Sequence, residues 1–377
     1  MNIPKKLECK IPPSLTSYEI KIQSGILNDP KTLIQHLTLH GSRYTIITDE
    51  TIASLYGNQL YKVLSAAGLE TFLFSFPVGE QHKTRATKEH LEDQLFEKKL
   101  GRDTCVIAIG GGVVTDLGGY IAATYCRGIP LIIIPTSLLG MVDASIGGKN
   151  GVNTPHGKNM LGCIYQPKKV IIDPSTLKSL PIKELKNGVV EMIKHGLISD
   201  SNYFTFLEEQ ADQILELDST TLEIAIFESC RIKKEIVEQD EKEKGIRHLL
   251  NFGHTFGHAL EVLTHYSVPH GEAVACGLLF ESHLAVQLGK LKQSSFERIK
   301  QILARYSLPL HLPSPFSFNQ LLDAMKLDKK SLKGQPCFSI ISEIGTPLMH
   351  GSSYCTTMDK ALIENTLHWI KNDLRRD

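Results

Sequence analysis

Residues 105–119 read Cys-Val-Ile-Ala-Ile-Gly-Gly-Gly-Val-Val-Thr-Asp-Leu-Gly-Gly. An apolar, β-branched run bounded by glycine reads as a strand buried on both faces, which is the pattern of a parallel sheet. The glycines that follow let the backbone approach a ligand, and the helix start beyond them presents free N–H groups and a partial positive charge. A nucleotide pyrophosphate is the natural occupant of the segment Gly110–Gly119. A purely structural glycine turn between strand and helix is the alternative. The spacing is not Gly-x-Gly-x-x-Gly, so the standard dinucleotide fingerprint is absent.

Working outward, Tyr44–Thr48, Thr71–Phe76 and Leu131–Pro135 repeat the short apolar pattern, with helical segments between them. Strands alternating with helices imply crossover units around a parallel sheet. Gly79-Glu-Gln-His-Lys83 follows the 71–76 strand as Gly110–Asp116 follows its own strand, and ligands sit beyond such carboxyl ends. From about Ser179 the texture changes. Pro181 suits the first position of a helix, and amphipathic stretches follow at 201–217, 220–240 and 271–289, with Cys337–Ile341 as an isolated strand. The sequence therefore predicts an α/β N-terminal domain with a Rossmann-like parallel sheet over residues 1–179 and a mainly α-helical domain over 180–377.

Composition restricts the function classes. At 377 residues two domains are the default. Lys plus Arg and Asp plus Glu number 41 each, which offers no general attraction for nucleic acid or anionic membrane. No apolar run reaches membrane-spanning length, and the first residues lack the apolar core of a secretion signal. The eight cysteines show no Cys-x-x-Cys pair and read as reduced thiols in a cytoplasmic protein.

Three further segments carry chemistry. Met141–Asn159 sets Asp143, Lys149, Lys158 and Asn159 in a glycine-rich loop, where lysines and an amide suit a phosphate; a solvated loop is the bland alternative. Arg247-His-Leu-Leu-Asn-Phe-Gly-His-Thr-Phe-Gly-His258 spaces Arg247, Asn251, His254 and His258 at helical intervals, predicting one polar helix face able to hold a metal. A buried polar helix whose histidines bond to backbone carbonyls would look the same. Glu191 borders the apolar stripe Ile182, Leu185, Val189, Val190 and Ile193, with Lys194 three residues on. His270 precedes a further helical run. A carboxylate with two histidines is the open, catalytic zinc arrangement, and the absence of His-Glu-x-x-His disfavours a zincin protease.

Together these segments resemble the 3-dehydroquinate synthase family of sugar-phosphate cyclases, over most of residues 45–330 and with order and spacing kept. The resemblance implies a divalent metal, zinc with cobalt able to substitute, on Glu191, His254 and His270. It implies an NAD site on Asp49, Val78, Gly79, Glu80, Gln81, His82, Lys83, Gly112, Val113, Val114, Thr115, Asp116, Thr136, Ser137, Lys149, Lys158, Thr176, Leu177, Lys178 and Ser179. The substrate residues it implies are Arg127, Asp143, Lys149, Asn159, Lys194, Lys233, Arg247, Asn251, His258 and Lys329 or Lys330. Arg127 would reach a second subunit's site, which implies a homodimer. Ser137, Asn150 and Val78 depart from the family's usual residues without removing a charge or a metal ligand.

The implied reaction converts 3-deoxy-D-arabino-heptulosonate 7-phosphate to 3-dehydroquinate and phosphate, in the shikimate pathway. It proceeds by transient NAD-dependent oxidation at C5, phosphate elimination, re-reduction, ring opening and aldol closure. A metal-dependent polyol dehydrogenase of the glycerol type is the nearest rival. It needs no phosphate or carboxylate clamp, so Lys149, Asn159, Lys233 and Arg247 argue against it. Cyclases acting on substrates without a carboxylate are disfavoured by Lys233 and Arg247. A catalytically dead binding or scaffold protein would lack at least one ligand or clamp residue, and none is missing.

Overall fold

The computed structural model describes residues 16–37, 40–308, 310, 312, 316–326, 334–351 and 353–373. In chain order the strands of the first half are Glu19–Ile22 (β1), Arg43–Asp49 (β2), Glu70–Phe76 (β3), Thr104–Gly110 (β4), Leu131–Pro135 (β5), Lys149–Thr154 (β6), Gly157–Ile164 (β7) and Lys169–Ile172 (β8). Six of them form one sheet in the order β1-β8-β5-β4-β2-β3, parallel at every pairing. Side chains alternate across a strand, and β4 shows what its unbroken apolar run is for. Val106 and Ala108 join the core on one face, while Cys105, Ile107 and Ile109 join the core on the other.

The helix Gly112–Thr124 (α1) lies against the first of these faces. Gly118 sets the approach: a Cβ there would stand 2.8 Å from that of Ala108. The chain runs from β2 out to β3 and then crosses to β4 on the other side of β2. The order of strands thus reverses between β2 and β4, where a crevice forms at their carboxyl ends.

Beyond the sheet come Ile182–Ser199 (α2), Ser219–Gln239 (α3), His254–Leu263 (α4) and His270–Gln287 (α5). Leu185, Val189, Val190 and Ile193 of α2 are buried as the periodicity predicts, whereas Ile182, expected in the same stripe, is exposed at the first position of the helix, directly after Pro181. Asp218 caps α3 by accepting from the Thr221 N–H at 2.8 Å, satisfying a donor the helix start leaves open. One apolar cluster continues from the underside of the sheet through Leu138 and Met141 into α2, α3 and α5. The helices are therefore packed against the sheet and the segment that follows β5.

Several expectations are corrected. The basic segment 141–159 is a helical turn at Gly140–Ala144 followed by the antiparallel hairpin β6–β7, not a loop. Asn150 explains itself there: buried, it donates to the carbonyls of Gly148 (2.8 Å) and Tyr165 (2.9 Å). The stretch 201–217 breaks at Gln210 into Ser201–Glu209 and Ala211–Leu215, because Gln210 leaves helical geometry (φ −100°, ψ 17°). Residues 337–341 enter two short ladders, Cys337–Phe338 with Thr356–Thr357 and Ile341–Glu343 with Thr346–Pro347. Cys337 and Cys355 form a disulfide with Cα atoms 5.7 Å apart, against the expectation that every thiol is reduced. The ladder that pairs Thr356–Thr357 with Cys337–Phe338 brings the two cysteines together.

Candidate active site

The dodecapeptide 247–258 is not one helix. Ile246–Asn251 forms a 3-10 turn, Phe252 is extended (φ −55°, ψ 124°), Gly253 takes φ 80°, and α4 starts only at His254. The break has a packing cause. A Cβ on Gly253 would lie 2.9 Å from the Leu278 amide of α5, so only glycine reverses the chain here. Arg247 and Asn251 consequently leave the helix face that carries His254 and His258.

Glu191, fully buried on α2, receives the Lys194 ammonium on one carboxylate oxygen. Its other oxygen, Oε1, stands 3.5 Å from Nε2 of His254 and 3.5 Å from Nε2 of His270, and has no hydrogen-bond partner. His254 Nδ1 donates to the Phe252 carbonyl at 3.2 Å, which leaves the Nε2 lone pair on the Glu191 side. A buried carboxylate oxygen without a donor, between two imidazole nitrogens, fits a divalent cation. His258 packs its ring 5.3 Å from that of His254 and is not part of this trio. Burial opposes the charge on Glu191, but Lys194 and His270 outweigh it and bring the carboxyl to about 2. Burial likewise lowers His270, yet Glu261 and Glu191 raise it to about 10. A cation therefore competes with a proton there.

Buried cations surround this cluster. Lys233 of α3 donates to the Asp143 carboxylate, which stays ionised despite burial because Lys233 and Lys194 face it. Arg247, 1 % exposed, donates to the Gly147 carbonyl at 2.9 Å and to that of Glu241. Glu243 accepts from Lys149 at 2.6 Å and from Asn251 at 2.8 Å, tying the hairpin to the helical half. His195 places Nδ1 2.7 Å from the Ser229 hydroxyl. Its Nε2 is buried without a partner, beside Asp143 and Glu191.

The glycine segment lies at the crevice between β2 and β4. Thr48 donates to the Ile109 carbonyl at 2.7 Å across these strands, and Asp49 caps the next turn at the Ile52 N–H (2.9 Å). Lys83, 4 % exposed, donates to Asp116 of α1 and to Asn159 Oδ1 (2.6 Å). Glu80 accepts from Asn153 at 2.8 Å, pinning the 79–83 loop to the hairpin. Thr136 N–H donates to the Gly110 carbonyl at 2.9 Å, and Ser137 Oγ accepts from Gly140 N–H at 3.1 Å. The Thr176–Ser179 segment forms a 3-10 turn against Tyr56, whose hydroxyl is 2.7 Å from Ser179 Oγ. A cleft opens there between Tyr56, Leu60, Ile109 and Thr176. Val78 and Lys178 are exposed.

The residues expected at the site fall into three groups. Glu191 meets Lys194, His254 and His270, Lys233 meets Asp143, Lys149 and Asn251 meet on Glu243, and Lys83 meets Asp116 and Asn159, while Arg247 donates to the Gly147 and Glu241 carbonyls. Lys158 turns away from the glycine segment, to Glu261 at 3.0 Å and over the Tyr266 ring at 4.4 Å. Arg127 is exposed on a turn with φ 69° and takes no part in these bonds. Lys329 and Lys330 lie outside the described residues. Sequence reasoning missed Glu243, Glu261 and His195. Glu261 was within reach, since it falls seven residues after His254 on the same helix face. Nothing in the spacing marks Glu243.

A Rossmann-like sheet with a glycine crevice, joined to helices that bring Glu191, His254 and His270 together beside buried cations, is the architecture of an NAD- and metal-dependent enzyme. The structure superposes on 2-epi-5-epi-valiolone synthase (ValA) of Streptomyces hygroscopicus subsp. jinggangensis, solved with NAD+ and Zn2+ bound, with a TM-score of 0.87 and 28% identity, covering 96% of this chain and 99% of that one. A solved 2-deoxy-scyllo-inosose synthase shares the fold at a TM-score of 0.81 and 23% identity, over 92% of this chain and 95% of that one. The profile described as 3-dehydroquinate synthase N-terminal matches residues 73–187, and that described as 3-dehydroquinate synthase C-terminal matches 188–331. The 3-dehydroquinate synthase of Desulforamulus reducens is 44% identical over 330 residues, 87% of this chain and 92% of that protein. That of a Synechococcus strain is 42% identical over 345 residues, 90% and 94% respectively. The chain belongs to the 3-dehydroquinate synthase family.

Proposed function

We propose that this chain is an NAD- and metal-dependent 3-dehydroquinate synthase, acting on 3-deoxy-D-arabino-heptulosonate 7-phosphate. The observation that carries the reading is Glu191 Oε1, buried and without a donor between His254 and His270, with Lys194, Lys233 and Arg247 around it. A polyol dehydrogenase has no use for so many buried cations. A substrate bearing both a phosphate and a carboxylate does.

When bound, the nicotinamide supplies a reversible hydride acceptor and the divalent cation acidifies the substrate's hydroxyls. The chain's own residues position and screen. Glu191, His254 and His270 would hold zinc, or cobalt in its place. Asp49, the 79–83 loop, Gly112–Asp116, Thr136, Ser137 and the Thr176–Ser179 turn would hold NAD, the free N–H groups at the α1 N-terminus being suited to its pyrophosphate. Lys149 and Asn159 suit the substrate phosphate, and Lys233 and Arg247 the carboxylate. Asn251 orients a hydroxyl, and His258 moves a proton at the oxidised centre. Asp143 holds the Lys233 ammonium in place, so the electrostatic field is set before substrate arrives.

The chain divides at about residue 180 into nucleotide and metal domains. It acts as a homodimer in the cytoplasm, with exposed Arg127 completing a second copy's phosphate site. No helix among the described residues is long and apolar enough to cross a membrane. Incubation with the heptulosonate phosphate, NAD and zinc should release inorganic phosphate without net NADH. No release would sink the synthase reading, and NADH accumulation with glycerol would favour the dehydrogenase.

A further inference from the structure

Glu261 has no role in the reaction described above, yet it is only 3 % exposed. It sits on α4, the helix that begins with His254, and its two carboxylate oxygens face in different directions. Oε2 lies 3.5 Å from Nδ1 of His270 on α5. Oε1 lies 3.0 Å from the Lys158 ammonium on β7. His270 therefore stands between two carboxylates, with Nδ1 towards Glu261 and Nε2 towards Glu191 Oε1.

A histidine that binds a metal through one nitrogen needs a proton held on the other. A carboxylate accepting that proton fixes both the tautomer and the ring plane. Burying Glu261 for packing alone would be unfavourable, since an uncompensated carboxylate inside a protein is costly. Its charge is met by His270 on one side and Lys158 on the other. Because Lys158 belongs to the hairpin that also carries Lys149 and Asn159, the contact joins the metal helices to the β6–β7 hairpin.

We propose that Glu261 is the positioning residue of the metal centre, holding His270 as the Nδ1–H tautomer with its Nε2 directed at the cation, and anchored from the far side by Lys158. The inference rests on the metal reading above and adds a residue to it. In this role Glu261 acts through His270, which it meets with Oε2 while Lys158 holds Oε1.

The test uses the full chain stripped of metal with a chelator, then titrated with zinc alone against a chromophoric competitor. Glu261→Leu should weaken zinc binding by about 10- to 100-fold, the usual effect of losing such a partner. Glu261→Gln keeps an oxygen acceptor for Nδ1–H and should recover much of the loss, remaining roughly three- to tenfold weaker than the unchanged chain. With cobalt as the probe, the visible ligand-field spectrum should shift in Glu261→Leu and return towards the unchanged spectrum in Glu261→Gln. A role confined to packing would lower the melting temperature without moving either readout. If the unchanged chain binds zinc and Glu261→Leu binds it within about twofold, the assignment of Glu261 is overturned and the metal centre stands. If the unchanged chain binds no zinc, the metal reading itself fails. Should Glu261→Leu not fold, the isosteric Glu261→Gln decides: affinity within about twofold of the unchanged chain overturns the proposal.

Discussion

Gly277 on α5 packs its bare Cα against the carbonyl of Gly253, so closely that a Cβ at Gly277 would lie 1.8 Å from that oxygen. Gly253 is the left-handed residue that starts α4 and so sets where His254 falls. Two glycines without chemistry of their own thus bring His254 of α4 and His270 of α5 to the same carboxylate.

Gly277→Ala is expected to force α4 and α5 apart. The obstructing atoms are backbone and cannot rotate away, so the destabilisation should reach about 3 kcal/mol, the upper end for overpacking, with loss of zinc binding. Urea denaturation and zinc titration check this. A midpoint and zinc affinity equal to those of the unchanged chain would refute the packing account.

His270→Ala should lower zinc affinity by about an order of magnitude or more, since one of three protein donors is lost. Total zinc measured after dialysis would settle it. Unchanged zinc content means that His270 is not a ligand.

Arg247→Lys retains the charge but loses the planar fork that reaches the Gly147 and Glu241 carbonyls. The expected loss in kcat/KM for phosphate release is about 100-fold or more, because a fixed donor is replaced by a mobile one in a dry site. Near-normal kcat/KM would exclude Arg247 from substrate binding.

His195 gives a pH dependence of stability. Burial, reinforced by Lys194, lowers its folded-state value from 6.5 to about 3. Between those limits the unfolded chain takes up a proton that the folded chain refuses, so stability is lost as pH falls below 6.5. His195→Gln should flatten the fall in melting temperature between pH 6.5 and about 4. An unaltered slope would show that His195 does not supply it.

Lys83→Met should weaken NAD binding about tenfold, because Asp116 and Asn159 lose the ammonium that joins α1 to the hairpin. Calorimetric titration with NAD measures it, and Lys83→Arg should restore part of the affinity. Equal affinity in Lys83→Met and the unchanged chain would remove Lys83 from the nucleotide site.

Much of the molecule was legible in the chain. The apolar run at 105–109 announced a doubly covered parallel strand, because burial on both faces leaves no polar alternation. The stripe on 182–193 announced the helix that carries Glu191. Glycines at 110–112 marked the turn between strand and helix for a steric reason that needs no partner. The hairpin at 149–164 was not legible. Its Gly, Asn and Lys residues read as loop, and only pairing between β6 and β7 makes them strands.

The sequence by itself determined which residues could do chemistry and the local elements that carry most of them, since periodicity, glycine sterics and charge type are properties of short segments. Tertiary structure alone decided who meets whom. The even spacing of Arg247, Asn251, His254 and His258 suggested one helix face, but the crossing of α5 at Gly277 reverses the chain at Gly253 and separates the pairs. Packing of α5 against α2 and α4 brought His270 to Glu191 and Glu261, and the fold of β7 brought Lys158 to Glu261. Those contacts arise from backbone close approach between distant segments, and no interval along the chain encodes that.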